Sequence, residues 1–246
     1  MNDIEPTPSL QGQTVVVLGG SSGIGLETAR LARSAAAEVI VTGRDSERLR
    51  QAGVELGAVR TAQLDLADAA GISEFFEGLS APVDHVLVTG GGPTYGTIAD
   101  LDFDDARRVL DEHLLGSLRV ARHAAHSVRA GGSLTLITGS HARRPGPGLS
   151  IAAIAAAAVP VIAANAAVEL SPVRVNAIAA GFVDTPLSAR LLGAELETRR
   201  AELRQTLPIH RVVNAADVAA TALHLMTNTA VTGATYDVDG GQQLIP

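Results

Sequence analysis

The sequence predicts an α/β fold in which a parallel sheet of about seven strands is doubly wound, with helices on both faces. Short segments rich in β-branched residues alternate with longer segments rich in Ala, Leu and Arg from one end of the chain to the other. The short segments are continuously apolar, as expected of strands that are covered on both faces. No linker-like stretch or internal repeat divides the 246 residues, so we expect one domain over residues 1–246.

The β-branched segments predict strands, in order, at residues 14–18, 39–42, 59–64, 83–89, 133–138, 173–178 and 235–238. The segments between them predict helices at residues 24–35, 46–56, 69–79, 103–129, 150–170 and 215–226. Parallel strands joined through helices imply right-handed crossovers. Pro160 lies inside the fifth helix and is expected to kink it or to open a turn. Residues 185–205 are expected to form a mobile flap.

The composition excludes several classes of function. The chain has no cysteine, which excludes disulfides, thiolate metal ligands and a catalytic thiol. A formal net charge of −7 with scattered arginines argues against a nucleic-acid partner, because nucleic-acid surfaces need clustered basic residues. His123 and His126 share a helix face, but no acid or third histidine completes a metal site, so no metal is expected. This composition is compatible with a small-molecule substrate.

No targeting or membrane segment is expected. Residues 1–13 are polar and contain two prolines, unlike a signal peptide. The longest apolar run, residues 151–168, is interrupted by Pro160 and Asn165, and its alanines are too weakly hydrophobic for a convincing membrane span. We therefore predict a cytoplasmic protein with no membrane partner.

A glycine-rich turn follows the first predicted strand and opens the first helix. Glycines there let the backbone turn sharply and approach a pyrophosphate, whose charge meets the N-terminus of the helix. The turn predicts a Rossmann-type dinucleotide site. Gly90 and Gly91, after the fourth strand, are expected to let the backbone pass under the cofactor. The residues predicted to bind the pyrophosphate end of the cofactor are Gly19, Ser21, Ser22, Gly23, Ile24 and Gly25.

The end of the second predicted strand indicates which dinucleotide is bound. Folds that prefer NAD place a carboxylate there for the ribose 2′-hydroxyl, whereas this chain has Gly43 followed by Arg44. A guanidinium suits a 2′-phosphate, which it binds through two hydrogen bonds, so the predicted cofactor is NADP. The alternative is that Arg44 is a solvated surface residue. Asp65 and Leu66, after the third strand, are expected beside the adenine.

These motifs, in this order, resemble the short-chain dehydrogenase/reductase family over nearly the whole chain. The resemblance continues through residues 174–177 (RVNA), 181–186 (GFVDTP) and 232–241. It implies that Val183 and Thr185 hold the nicotinamide carboxamide. It also implies a homodimer or homotetramer whose interface is formed by the helices predicted over residues 103–129 and 150–170.

The catalytic residues of that family are not found at their expected positions. In the family a Ser holds the substrate oxygen, a Tyr transfers the proton, a Lys lowers the pKa of the tyrosine, and an Asn completes the relay. In this sequence the serine position falls on Gly139 and the asparagine position on His113. The tyrosine and lysine positions fall on Ala152 and Ala156. All 19 basic residues are arginine, so no alignment supplies the lysine.

A shift of one residue places the family's serine at Ser140 but still gives alanine for the tyrosine and the lysine. Four side chains, Ser140 included, remain as catalytic candidates. His113 is expected to titrate near neutrality, as an ordinary histidine does, and so suits a general acid, although it also suits a helix or subunit contact. Ser140 and His141 follow the fifth strand, where ligands of such sheets bind, and His141 is as readily explained as a solvated residue. Tyr95 lies in a loop that borders the predicted nicotinamide site.

Two hypotheses of function follow from the resemblance. The first is a NADP-dependent reductase that transfers hydride to an iminium or another electron-poor centre, for which no tyrosine proton donor is needed. The alternative is a protein that does no redox chemistry: an inactive NADP-binding protein, a sensor, or a pocket that organises a cyclisation. Fold alone does not decide between them.

Overall fold

The computed structural model describes residues 9–57 and 59–245. Its strands are β1 (Thr14–Leu18), β2 (Glu38–Gly43), β3 (Arg60–Gln63), β4 (Val83–Val88), β5 (Val128–Gly139), β6 (Arg174–Ala180), β7 (Val183–Asp184), β8 (Val213–Asn214) and β9 (Thr235–Val238). Seven of them form one parallel sheet in the order β3-β2-β1-β4-β5-β6-β9, and β7 pairs with β8 in a small second sheet. The predicted doubly wound fold is confirmed.

Helices cover both faces of the sheet. They are α1 (Gly23–Ser34), α2 (Ser46–Glu55), α3 (Ala69–Glu77), α4 (Phe103–Leu110), α5 (Gly116–Ser127), α6 (Ser150–Glu169), α7 (Pro186–Leu192), α8 (Leu196–Thr206) and α9 (Ala215–Thr227). Alternate residues of β1 point to opposite faces, so Val16 packs with α3, α5 and α6, whereas Val15 and Val17 pack with α1, α2 and α9. Because all seven strands are parallel, their carboxyl ends lie at one edge of the sheet.

The strand at one edge of the sheet differs from the prediction. Residues 59–64 were expected to be a continuously apolar strand buried on both faces, but β3 spans only Arg60–Gln63. Arg60, Thr61 and Gln63 are exposed. β3 is the edge strand of the sheet, and its side chains are not fully covered on the two faces, so polar residues are tolerated there.

The long helix predicted over residues 103–129 is interrupted. A π-helical turn at Asp111–Leu115 separates α4 from α5, and β5 already begins at Val128. Ser117 Oγ donates to the carbonyl of His113 at 2.6 Å, within this rearranged segment. A π turn shifts the direction of the side chains it contains, and such turns are frequent at functional sites. Here Glu112 and His113 lie in it.

Pro160 does not open a turn as expected, because α6 runs without interruption through it. A proline has no N–H, so the carbonyl of Ala156, four residues earlier, lacks its helical donor. Thr138 Oγ1 at the end of β5 donates to that carbonyl at 3.2 Å, and both residues are buried. A side chain from the sheet therefore replaces the missing backbone hydrogen bond.

Helix α6 is long and apolar enough, by length and composition, to cross a membrane. In this fold it packs on β5 and β6. Its buried residues include Ala152, Val159 and Ala163. The apolar composition is accounted for on that face by contact with the sheet.

Candidate functional site

A groove of about 390 Å³ lies at the carboxyl edge of the sheet. It lies where ligands of open α/β sheets bind. Val183 lines an adjoining cavity that shares Ile24, Gly90, Gly91 and Thr185 with the groove. The residues of the groove that the sequence predicts to bind the cofactor are Gly19, Ser21, Ser22, Gly23, Ile24, Gly25, Arg44, Asp65, Leu66, Gly90, Gly91 and Thr185.

The turn before α1 has the geometry that a pyrophosphate needs. Gly19 has a φ of +90°, and a Cβ at Gly25 would lie 2.3 Å from the carbonyl oxygen of Gly19. Only glycines therefore allow the strand, turn and helix to approach this closely. The N-cap residue of α1, Ser22, makes no side-chain capping hydrogen bond among the described residues. The N–H groups at this helix end thus fit an anionic ligand.

Arg44 lies at the rim of the groove and is bound to a buried carboxylate. Its Nη1 donates to Glu112 Oε1 at 3.0 Å, and the side chain of Glu112 is 3% exposed. Gln63 Nε2 donates to the carbonyl of Arg44 at 2.9 Å, which fixes the backbone there. Asp65 Oδ1 accepts from the N–H of Ala67 at 3.0 Å. Asp65 therefore shapes the turn after β3 as well as lining the groove.

A larger cavity of about 600 Å³ adjoins the groove. The four catalytic candidates from the sequence line it: His113, Ser140, His141 and Tyr95. The wall formed by α6 consists of Ala152, Ala155 and Ala156, so no ionisable group projects from that helix into the cavity.

Two histidines in this cavity lie against glycines. A Cβ at Gly91 would lie 2.8 Å from His113 Nε2, and a Cβ at Gly139 would lie 2.2 Å from the Cε1 of His141. Each ring therefore occupies space that any side chain at the neighbouring glycine would need. From the sequence, His141 is explained as readily by solvent exposure as by a role in the site, whereas the structure places it in the cavity. The signal in the sequence was the glycine two residues before it.

Burial keeps both imidazoles from charging easily. It lowers the pKa of His113, against the opposing effects of the Gly92 carbonyl and of Glu112. It also lowers the pKa of His141, and the nearby His113 lowers it further. Both rings are therefore neutral at pH 7. Burial raises the pKa of Tyr95, which stays protonated.

The two arginines after β5 are held by the C-terminal segment. The sequence leaves open whether Arg143 and Arg144 bind an anionic substrate or lie in solvent. Arg143 Nη1 donates to Asp237 Oδ2 at 2.5 Å. Arg144 donates to the carbonyls of Gln242 and Ile245. Arg144 lines the cavity, but its hydrogen bonds are directed at the backbone of the chain itself.

No cluster of three or more potential metal ligands occurs within residues 9–57 and 59–245. His123, which shares a helix face with His126, stacks on Phe76 with ring centroids 5.3 Å apart. It thus has a packing role on the helical layer.

A glycine turn at the start of α1, within a groove at the carboxyl edge of a seven-stranded parallel sheet, defines a Rossmann-type dinucleotide-binding protein. A family model described as enoyl-(acyl carrier protein) reductase matches residues 19–243. The chain is 33% identical to the short-chain dehydrogenase/reductase ucsE of an Acremonium species, over 94% of this chain and 96% of that protein.

Two solved structures extend the comparison. The MalC reductase/Diels-Alderase from Malbranchea aurantiaca is 25% identical with a TM-score of 0.90, over 98% of this chain and 100% of that one. A small-chain dehydrogenase in complex with NADPH is 29% identical with a TM-score of 0.80, over 94% of this chain and 99% of that one. The chain belongs to the short-chain dehydrogenase/reductase family, whose members bind NAD or NADP.

Proposed function

We propose that the protein is a NADP-dependent oxidoreductase that transfers hydride to an iminium or a similarly electron-poor centre, in a site without the family's Ser-Tyr-Lys relay. The observation that carries this proposal is the contrast between two neighbouring regions. The cofactor groove keeps its glycine turn, whereas the α6 wall of the cavity is alanine and the chain contains no lysine.

Bound NADPH supplies a hydride at the C4 of its nicotinamide. The glycine turn and the N-terminus of α1 would hold the pyrophosphate, and Arg44 would bind the 2′-phosphate. Val183 and Thr185 would hold the nicotinamide. The largely apolar wall excludes water from the reacting centre.

The choice of substrate class rests on the proton balance. Hydride transfer to a ketone leaves an alkoxide, which a positioned acid must protonate. Hydride transfer to an iminium gives a neutral amine directly, so no acid is needed at the acceptor. Ala152 and Ala156 supply no acid, which suits the second reaction, whereas the first would need an acid from another residue of the cavity such as His113.

Simple ketones are expected to show little or no turnover, whereas a panel of cyclic iminium ions should oxidise NADPH measurably. His113→Ala should leave the iminium reaction nearly intact, because no proton donor takes part in it.

If His113 is instead the acid for a carbonyl, His113→Ala removes most activity and the rate falls as pH rises. That fall would lie below pH 6.5, since burial lowers the pKa of His113. Stopped-flow absorbance at 340 nm measures both, and rapid ketone reduction independent of His113 would contradict both branches.

Arg44→Ala is expected to weaken NADPH binding by about tenfold or more, because a charged hydrogen bond to the 2′-phosphate contributes about 1.5–3 kcal/mol. NADH lacks that phosphate, so its affinity should change little. Isothermal titration calorimetry with both cofactors measures the difference. Equal affinity of the unmodified protein for the two cofactors would refute the assignment.

A second candidate function is a non-redox cyclisation in the same cavity. Its support is the similarity to a protein described as a reductase/Diels-Alderase, together with a cavity of about 600 Å³ lined largely by apolar residues. Product formation with NADP+ bound, and without consumption of NADPH, would separate it from the reductase.

A homodimer or homotetramer acting in the cytoplasm completes the proposal. Helices α5 and α6 leave apolar side chains exposed, among them Leu118 at 49%, Ile154 at 53% and Val161 at 62%. Val161→Asp should convert the oligomer to a monomer, because it places a charge in the proposed interface. Light scattering at micromolar concentration measures the mass. Val54→Asp, at an exposed valine on α2, is the matched control and should leave the mass unchanged.

A further inference from the structure

We propose that Glu112 is a positioning residue for Arg44 and thereby sets the preference for NADP(H) over NAD(H). The inference rests on the proposed role of Arg44 at the 2′-phosphate. Nothing in the glycine turn or at the end of β2 suggests it, because Glu112 lies 68 residues from Arg44, in the π turn between α4 and α5. Both side chains line the cofactor groove.

The two partners of this ion pair differ in how firmly they are held. The side chain of Glu112 is 3% exposed, whereas that of Arg44 is 55% exposed. A buried carboxylate has a fixed position, so it determines where the mobile guanidinium lies. Without that contact, Arg44 would lose more side-chain freedom on binding the phosphate, and the affinity for NADPH would be lower.

The contact leaves the guanidinium able to bind a second anion. Among the described residues, the side chain of Arg44 donates only through Nη1, to Glu112 Oε1 at 3.0 Å. A guanidinium carries five N–H donors in a planar fork, so those on Nη2 and Nε remain for a phosphate. Arg108 Nη1 lies 3.5 Å from the same carboxylate oxygen. Two arginines thus lie beside one carboxylate.

The second oxygen of Glu112 argues against a purely structural role. Glu112 Oε2 is buried and has no hydrogen-bond partner within the described part of the chain. A half-satisfied buried carboxylate costs stability, so its presence here is explained by the arginine it orients. It also constrains Gly91, since a Cβ there would lie 3.3 Å from Oε2.

Calorimetric titration of NADPH, NADH and adenosine 2′,5′-bisphosphate into Glu112→Gln, Arg44→Ala and the double variant tests the proposal. Glutamine keeps the shape of the side chain and removes its charge. We expect Glu112→Gln to weaken NADPH and the bisphosphate by about three- to tenfold and to leave NADH unchanged. In the Arg44→Ala background, Glu112→Gln should have no further effect on NADPH.

Asp105→Asn is the matched control, because Asp105 pairs with Arg108 at 3.1 Å but does not contact Arg44. It should leave both cofactor affinities unchanged. An equal loss of NADH and NADPH in Glu112→Gln would mean a structural role, and tighter NADPH would mean that Glu112 competes with the phosphate. Either result overturns the proposal. Failure of the proposed Arg44 role is distinct: Arg44→Ala alone would then leave the affinity for NADPH unchanged.

Discussion

Arg174→Met is expected to lower the free energy of unfolding by at least about 3 kcal/mol, or roughly 10 °C in Tm. Arg174 is 6% exposed and lies at the start of β6, beneath the C-terminus of α9. Its Nη1 donates to the carbonyls of Leu225 at 2.6 Å and Asn228 at 3.0 Å, and Nη2 donates to that of Met226 at 2.8 Å. The last carbonyls of a helix have no partner within the helix and carry the negative end of its dipole.

Methionine fills similar space but supplies no donor, so several buried carbonyls would be left unsatisfied. Thermal and urea unfolding followed by circular dichroism measure the loss. Arg60→Met is the matched control: Arg60 is exposed and donates only to the carbonyl of Gly78, at 3.2 Å, among the described residues. It should cost less than about 0.5 kcal/mol. A similar loss of stability in both variants would contradict the role assigned to the buried hydrogen bonds of Arg174.

The protein is expected to lose about 3 kcal/mol of stability as pH falls from 6.5 to 4, through protonation of His85 in the unfolded chain. His85 is 3% exposed, between Ser133 Oγ at 2.8 Å and Gln13 Oε1 at 2.7 Å. Burial lowers the pKa of His85 from 6.5 to about 4, opposed by the negative charge of Asp84 and aided by the positive charge of Arg174.

The sign follows from which state binds the proton. The unfolded chain takes it up near pH 6.5, whereas the folded protein does so only near pH 4. The stability that depends on a neutral His85 is therefore present above pH 6.5 and is lost as pH falls from 6.5 to about 4. The His85→Gln side chain cannot titrate. In this variant the free energy of unfolding, measured in urea at pH 4 to 7, should therefore change less with pH than in the unmodified protein. His224→Gln, on the exposed side of α9, should keep the full slope. An unchanged slope in His85→Gln would refute the assignment.

Local signals in the sequence were sufficient for the fold. Continuous β-branched runs marked the central strands, because a strand covered on both faces has few alternatives to aliphatic residues. The cofactor groove followed from the same logic. Once the sheet is parallel, Gly19 after β1, Arg44 after β2 and Gly90 after β4 must meet at one edge. Residues that follow parallel strands lie at the same edge of the sheet, so their proximity can be predicted without knowing any side-chain contact.

The interior of helices was predicted less well, since helical periodicity does not reveal an extra residue in one turn. Residues 103–129 kept an apolar face throughout, and the π turn at Asp111–Leu115 left no mark in that pattern. The sequence predicts that Pro160 kinks α6 or opens a turn in it. No turn opens, and the Thr138 hydroxyl on β5 donates to the carbonyl that the proline leaves without a helical donor.

Only the tertiary structure decided the contacts of Gly139, His141 and Glu112. The sequence determined that the chain forms a doubly wound sheet with a dinucleotide groove, because glycines and apolar strands act locally. It did not determine that His141 packs on Gly139 or that Glu112 reaches Arg44. The contact between Glu112 and Arg44 joins elements that are distant in sequence. Whether such a polar residue faces solvent or a site depends on how the elements around it pack.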